Sequence, residues 1–197
     1  MSKKTMMSSG KWKELFEFYY RSALDCYANS EAEPEVSDEF PGAKIMTRTE
    51  GKFGYQDMWQ AGAIGGFGIS GGQTVLTVDQ IPVWMLQYRG WYDKRDNRVL
   101  EVLKEALQAG YSSKMSKNGR GPEKYHSTDD KYVYSNPSRI DSAYILPAYF
   151  NFKCDYEVEK LLNFLGEESI ARRVGQKHID WAELVFSHSL AGYALVM

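Results

Sequence analysis

Residues 62–92 read GAIGGFGISGGQTVLTVDQIPVWMLQYRGWY, and this stretch decides the fold. Within it, residues 74–78 are rich in β-branched side chains, and Asp79 and Gln80 mark a turn. Residues 81–92 then return as a long strand with a proline near its start, where a missing N–H is tolerated. The stretch therefore predicts an antiparallel hairpin, which we expect at the centre of a sheet.

The same stretch contains a pattern that resembles a nucleotide-binding loop. Gly66, Gly68 and Gly71 fit G-x-G-x-x-G. A dinucleotide site needs this pattern between a strand and a helix, because the helix N-terminus holds the pyrophosphate. Here TVLTV follows, which favours a strand, and no Gly-Lys-Ser/Thr follows as in a P-loop. The glycines are therefore interpreted as positions of close backbone approach beside the hairpin, and no cofactor is predicted.

Alternation along the second hairpin strand separates two faces. Trp84, Leu86 and Tyr88 share an almost wholly apolar face, which we expect to meet the core. Gln87 and Arg89 lie on the opposite face and are expected to face solvent or a cleft.

The segments around the hairpin predict a sheet with helices packed on one face. Apolar residues at helical spacing predict one helix over residues 9–28 and a second over residues 97–109. The remainder of residues 43–153 reads as short strands and connections, which form the sheet core. We expect a single α+β domain over residues 1–197, built on a twisted, mostly antiparallel sheet.

The C-terminal part, residues 155–197, predicts a helical tail. Leucines recur at helical spacing at its start. Asp180 and Glu183 form a capping-box pair, which is typical of a helix start. The chain closes with AGYALVM, an apolar segment expected to pack on the core or on a second copy of the chain.

Composition and charge exclude several classes of site. The net charge of −2 gives no field that attracts nucleic acid. No apolar run approaches the roughly 20 residues of a membrane span, so no membrane partner is predicted and the expected setting is cytoplasmic. Cys26 and Cys154 are far apart and lack CxxC spacing, so no metal site is predicted, and whether they pair stays open.

The titratable residues form no catalytic motif. His126, His178 and His188 lack the spacing of a metal-binding pair. No serine-nucleophile elbow is predicted, and no catalytic residue is assigned. Asp57 stands out because alternation places it between Tyr55 and Trp59 on one face, where an acid among aromatic rings can bind a ligand.

These observations favour a non-enzymatic ligand-binding or regulatory module. Its predicted ligand site is a groove formed by Tyr55, Asp57, Trp59, Gln87, Arg89 and Arg120. The partner is a small molecule or a protein, and a homo-oligomer formed through the apolar C-terminus is a further alternative. The alternative function is an enzyme acting on a small molecule or nucleotide, with Asp57 or Glu123 acting beside Arg89 or a histidine.

Five pieces of sequence cover about residues 54–134 in a fixed order. They are GYQDMWQAG, the hairpin stretch with PVWMLQYRGWY, VLEVLKEALQAG, RGPEKY and DKYVYSN. This order resembles a bacterial domain family of unknown function, some members of which follow a helix-turn-helix repressor domain. The resemblance implies an α+β fold and a bacterial or phage origin, and it implies no activity. The chain departs from the family after residue 139, where a helical tail is predicted, and it has no predicted helix-turn-helix domain.

Overall fold

The computed structural model describes residues 7–29, 31–114, 119–139, 163–174 and 181–195. Two helices and ten strands lie in these residues. They are α1 (Ser9–Asp25), β1 (Glu35–Val36), β2 (Lys44–Glu50), β3 (Phe53–Ile64), β4 (Phe67–Val78), β5 (Ile81–Asp93), α2 (Val99–Ser112), β6 (Lys124–His126), β7 (Tyr132–Ser135), β8 (Ser138–Arg139), β9 (Asn163–Val174) and β10 (Trp181–Ala194).

All of these strands join one antiparallel sheet. Its order is β1-β2-β3-β4-β5-β10-β9-β7-β6, and β8 pairs with β9 beside this path. Two helices on an antiparallel sheet make an α+β fold, as predicted. No helix in the described part of the chain is long and apolar enough to cross a membrane.

Strands β4 and β5 form the predicted hairpin, which is longer than the sequence indicated. They pair from Phe67–Asp93 to Val78–Ile81. Asp79 and Gln80 make the turn with φ values of 51° and 66°, the left-handed conformation that a two-residue hairpin turn requires. Gly68 and Gly71 of the pattern lie inside β4, Gly66 lies in the turn before it, and a strand instead of a helix follows, so the pattern is part of a sheet and not a phosphate-binding loop.

The two faces of the sheet differ in what covers them. We call the face that carries Tyr55, Asp57, Trp84 and Tyr88 the inner face, and the face that carries Gln87 and Arg89 the outer face. Helix α1 packs on the inner face, where the rings of Phe16 and Tyr19 lie 5.6 Å and 5.4 Å from the Trp84 ring. Trp84 is fully buried, and burying such a side chain stabilises the fold by about 1.5–3 kcal/mol.

The predicted helical tail is wrong wherever the structure describes it. Residues 163–174 and 181–194 are strands β9 and β10, and β10 lies between β5 and β9. The two-residue alternation of Phe186, His188 and Leu190, all buried, outweighs the local helix signal because it fills the core between two strands. Glu183 of the predicted capping box instead accepts a hydrogen bond from Arg172 on β9.

Other boundaries shift by a few residues or fall outside the described part. Helix α1 ends at Asp25, and α2 runs from Val99 to Ser112 instead of over residues 97–109. The AGYALVM segment continues β10 as far as Ala194, so its described residues pack within the chain's own sheet. Residues 155–162, where the first helix of the predicted tail begins, lie outside the described residues.

Candidate functional site

Arg120 enters the interior on a short segment, residues 119–122, that packs against helix α2 and strand β7. A Cβ on Gly110 of α2 would meet the backbone of Gly121, and a Cβ on Gly121 would meet the Tyr134 ring. Glycine at both positions therefore allows the segment to contact the helix and the ring directly. As a result Arg120 is only 3% exposed.

The Arg120 guanidinium lies among one carboxylate and two tyrosine rings. Its Nε is 2.9 Å from Oε1 of Glu168. Its central carbon is 4.5 Å from the centroid of the Tyr88 ring and 5.7 Å from that of Tyr27, which are cation–π distances. Neither Nε nor Nη2 makes a hydrogen bond to a described residue. A buried N–H without an acceptor costs free energy, so Nη2 is left able to donate to an oxygen acceptor.

Glu168 is the buried counter-charge of Arg120. It is fully buried and accepts hydrogen bonds from the Tyr134 hydroxyl at 2.8 Å and from Nδ1 of His188 at 3.1 Å. Burial alone would raise the pKa of Glu168, but the Arg120 charge and the hydrogen bonds from His188 and Tyr134 outweigh it and lower the pKa to about 2. Glu168 is therefore ionised at neutral pH.

Asp57 is the second buried carboxyl of the inner face, and its partners are neutral. It is 2% exposed and accepts hydrogen bonds from the Thr74 hydroxyl at 2.8 Å and the Tyr88 hydroxyl at 3.1 Å. Burial raises the pKa of Asp57 to about 6, against the lowering effects of Thr74, Arg120 and Tyr88. Asp57 can therefore exchange a proton near neutral pH.

Two glycines explain how long side chains reach across neighbouring strands of this face. Gly72 is the partner of Tyr88 in the sheet, and a Cβ there would lie 2.6 Å from the Tyr88 hydroxyl. Gly90 is the partner of His188, and a Cβ there would lie 2.6 Å from the His188 ring. The missing side chains let Tyr88 reach Asp57 across β4 and let His188 lie across β5.

His188 on β10 contacts both Glu168 on β9 and a serine on β4. Ser70, Gly90, His188 and Glu168 are successive partners across β4, β5, β10 and β9. Nε2 of His188 is 2.8 Å from Oγ of Ser70. We call the group of Asp57, Tyr88, Arg120, Tyr134, Glu168 and His188 the inner polar cluster.

Aromatic side chains lie at the edge of this cluster. Tyr27 and Trp59 are both half-buried, and their rings meet edge to face with centroids 5.4 Å apart. A cavity of about 200 Å³ lies beside Trp59 and Gly72, and it is also lined by Phe40 and Ala43 and by residues that alternate onto the outer face, Met58, Gln60, Gly71 and Gln73. Polar groups behind half-exposed aromatic rings are typical of small-molecule sites.

The structure divides the six residues of the predicted groove between the two faces. The inner-face members are Tyr55, Asp57, Trp59 and Arg120. Gln87 and Arg89 are exposed on the outer face of β5, so they do not share a groove with Asp57. Arg89 instead lines an open groove of about 770 Å³ with Pro41, Gly42 and residues 60–64 and 69–71.

The residues of the predicted enzyme alternative are also dispersed. Glu123 and His126 are exposed at β6 and beside it, whereas Asp57 is buried on β3. His178 lies outside the described residues. His188 is the histidine that the structure brings to the inner face, where its ring centroid is 5.8 Å from that of Tyr88.

Sequence reasoning missed Ser70, Glu168 and His188 as site residues. The letters GISGG of residues 68–72 fit G-x-S-x-G around Ser70, but in the structure they form a continuous strand and not the strand–turn–helix elbow of that motif. Glu168 and His188 fell in the segment predicted to be helical, where a strand alternation would have placed both on one face.

Comparison with known proteins gives no match to a family model, a curated sequence or a solved structure. The resemblance to a bacterial domain family therefore stays a prediction. Among the described residues, no group of three His, Cys, Asp or Glu side chains is placed to hold a metal ion.

Proposed function

We propose that the chain is a binding module for a small, uncharged molecule rich in hydroxyl or carbonyl oxygens. The ligand binds on the inner face against Arg120. The observation that carries this proposal is Nη2 of the buried guanidinium, which makes no hydrogen bond to a described residue. An acceptor oxygen of a ligand would satisfy this group.

The charges around Arg120 select a neutral ligand. Glu168 already offsets the single positive charge, and Asp57, with a pKa of about 6, adds a negative charge at pH 7. A ligand anion would meet repulsion from both carboxylates in a medium of low dielectric constant. A ligand cation would leave the Arg120 N–H groups without acceptors.

The rings of Tyr27 and Trp59 supply the apolar part of the site. Both are half-buried, so each presents part of a ring to an incoming molecule. The flat faces of a sugar or of an amide ring stack on such surfaces while their oxygens reach inward. Asp57 lies on the same face as Trp59, two residues along β3, and can accept a hydrogen bond from a ligand hydroxyl when it is ionised.

The proposal is tested by saturation-transfer NMR with a library of neutral monosaccharides and cyclic amides. We expect at least one class to bind and Trp59→Ala to weaken it about tenfold or more, since a ring stack contributes roughly 1–3 kcal/mol. Arg89→Ala on the outer face is the matched control and should leave the affinity unchanged. Loss of binding in Arg89→Ala with full binding in Trp59→Ala would overturn the proposal.

The other predicted partners, a protein or a second copy of the chain, remain predictions, as does a bacterial or phage origin.

A further inference from the structure

Ser70, His188 and Glu168 form a continuous hydrogen-bonded chain across the inner face. Oγ of Ser70 is 2.8 Å from Nε2 of His188, and Nδ1 of His188 is 3.1 Å from Oε1 of Glu168. A serine, a histidine and a carboxylate linked in this order are the parts of a nucleophile, its general base and the group that orients the base.

The carboxylate fixes which ring nitrogen of His188 carries the proton. Glu168 is ionised and can only accept hydrogen bonds, so the Nδ1 that faces it must donate. In the neutral ring the lone pair is then on Nε2, which faces Ser70. The hydroxyl of Ser70 therefore donates to His188, which is the direction that activates a serine.

Packing holds the imidazole in place. The His188 ring is 2% exposed, and its centroid lies 4.4 Å from that of Phe186 and 5.8 Å from that of Tyr88. Gly90 leaves the space that the ring occupies. A base that is already oriented loses little entropy when it acts.

Ser70 itself is accessible, unlike its two partners. It is half-buried, and Ala61 and Ala63, which alternate onto its face from β3, are exposed. These small apolar side chains leave space for a short hydrocarbon acyl group beside Ser70.

We propose that Ser70 is a nucleophile that is acylated by esters of short, apolar carboxylic acids, with His188 as its general base. Oγ attacks the ester carbonyl carbon while its proton passes to Nε2 of His188. The C–O bond of the ester then breaks, and the leaving alcohol takes that proton. Water attacks the acyl-serine, its proton passes through His188 to Oγ, and the carboxylic acid is released. Glu168 is a positioning residue that acts through His188.

The surroundings of Ser70 predict slow turnover. Ser70 is paired with Ala61 on one side and Gly90 on the other, so its backbone amide is committed to the sheet. An oxyanion hole made of free backbone N–H groups does not flank it in the described residues, and such a donor is worth roughly 100-fold or more in rate. Acylation and deacylation both pass through an oxyanion, so both are slow with ordinary esters. A reagent with a good leaving group, such as fluoride or p-nitrophenolate, speeds acylation alone, and we therefore expect stoichiometric labelling and a burst of product followed by slow turnover.

The experiment is labelling of the full chain with a fluorophosphonate, followed by intact mass measurement and peptide mapping. We expect one adduct, at Ser70, and a burst of about one equivalent of p-nitrophenol from p-nitrophenyl butyrate. Ser70→Ala should abolish the adduct, because it removes the attacking oxygen. Ser189→Ala, an exposed serine next to His188 in sequence, is the matched control and should label like the unmodified chain.

A second measurement separates Glu168 from a purely structural role. Glu168→Gln, if it folds by circular dichroism, should label about tenfold or more slowly with a changed pH profile, because Nδ1 of His188 loses its anionic partner. If Glu168→Gln does not fold, the comparison of Ser70→Ala with Ser189→Ala decides alone. No adduct, an adduct at another residue or equal labelling of Ser70→Ala would overturn the proposal, and none of these results bears on binding at Arg120.

Discussion

Asp57 and Glu168 are two buried carboxyls of the same sheet face, and they differ in their partners. Asp57, on β3, accepts hydrogen bonds from two neutral hydroxyls, and its pKa rises to about 6. Glu168, on β9, faces the Arg120 guanidinium with His188 and Tyr134, and its pKa falls to about 2. The direct ion pair with Arg120 offsets the desolvation of Glu168, whereas the two neutral donors and the Arg120 charge together do not offset that of Asp57.

The two carboxyls therefore affect stability in opposite directions as pH changes. The raised pKa of Asp57 contributes stability below its unfolded pKa of 3.8, and this is lost as the pH rises through about 6. The lowered pKa of Glu168 contributes stability above 4.5, and this is lost as the pH falls through about 2.

The largest expected loss of stability comes from replacing Arg120, the cation that pairs with Glu168. Arg120→Met leaves the ionised Glu168 buried without its guanidinium, and breaking a buried pair in this way costs about 3–5 kcal/mol. Urea unfolding at pH 7 measures the loss. Arg89→Met on the exposed outer face is the control and should change stability by about 0.5 kcal/mol or less. Similar losses in both variants would contradict the role of Arg120.

The second prediction concerns how the ionisation of Asp57 makes stability depend on pH. Asp57→Asn removes the ionisation but keeps an oxygen that can accept from Thr74 and Tyr88. Relative to the unmodified chain it should gain about 2 kcal/mol of stability between pH 4 and pH 7, from the shift of the pKa to about 6.

Urea unfolding of Asp57→Asn and the unmodified chain at four pH values between pH 4 and pH 7 measures this gain. Asp38→Asn, in an exposed loop, should show no such gain. A constant difference between Asp57→Asn and the unmodified chain over the window would show that Asp57 is not protonated in the folded state near pH 5.

The smallest effect tests the glycine that lets Tyr88 reach Asp57. A Cβ on Gly72 would collide with the Tyr88 hydroxyl and with the backbone carbonyl of Met58, so Gly72→Ala should cost about 1–3 kcal/mol by overpacking. A Cβ on Gly62 meets nothing within 4 Å, so Gly62→Ala should be neutral or stabilising by up to about 1 kcal/mol. Thermal unfolding of both variants gives the sign, and a stabilised Gly72→Ala would contradict the packing of Tyr88 across β4.

The sequence was sufficient for the hairpin because each local signal agrees with the fold. Asp79 and Gln80 adopt the turn, and the alternation of Trp84, Leu86 and Tyr88 matches the buried face. The same alternation principle placed Tyr55, Asp57 and Trp59 together. Arg120 was named as a site residue, but its burial depends on the packing of Gly121 against Tyr134, which no local pattern encodes.

The C-terminal half of the site was not predictable from local signals alone. Strand β10 pairs with β5, about 100 residues earlier in the chain, and such non-local pairing overrides helix propensity. Glu168 and His188 become neighbours only through this pairing. Their link to Ser70 needs in addition the space above Gly90.

The contrast between the two carboxyls is tested most directly by an NMR titration of their side-chain carboxyl carbons. We predict a transition of Asp57 with a midpoint near 6 and of Glu168 with a midpoint near 2, so that Glu168 shows no change above about pH 3.5. Two transitions that both fall between about pH 3.5 and pH 4.5, the range of solvated carboxyls, would contradict the burial of Asp57 among neutral donors and the pairing of Glu168 with Arg120.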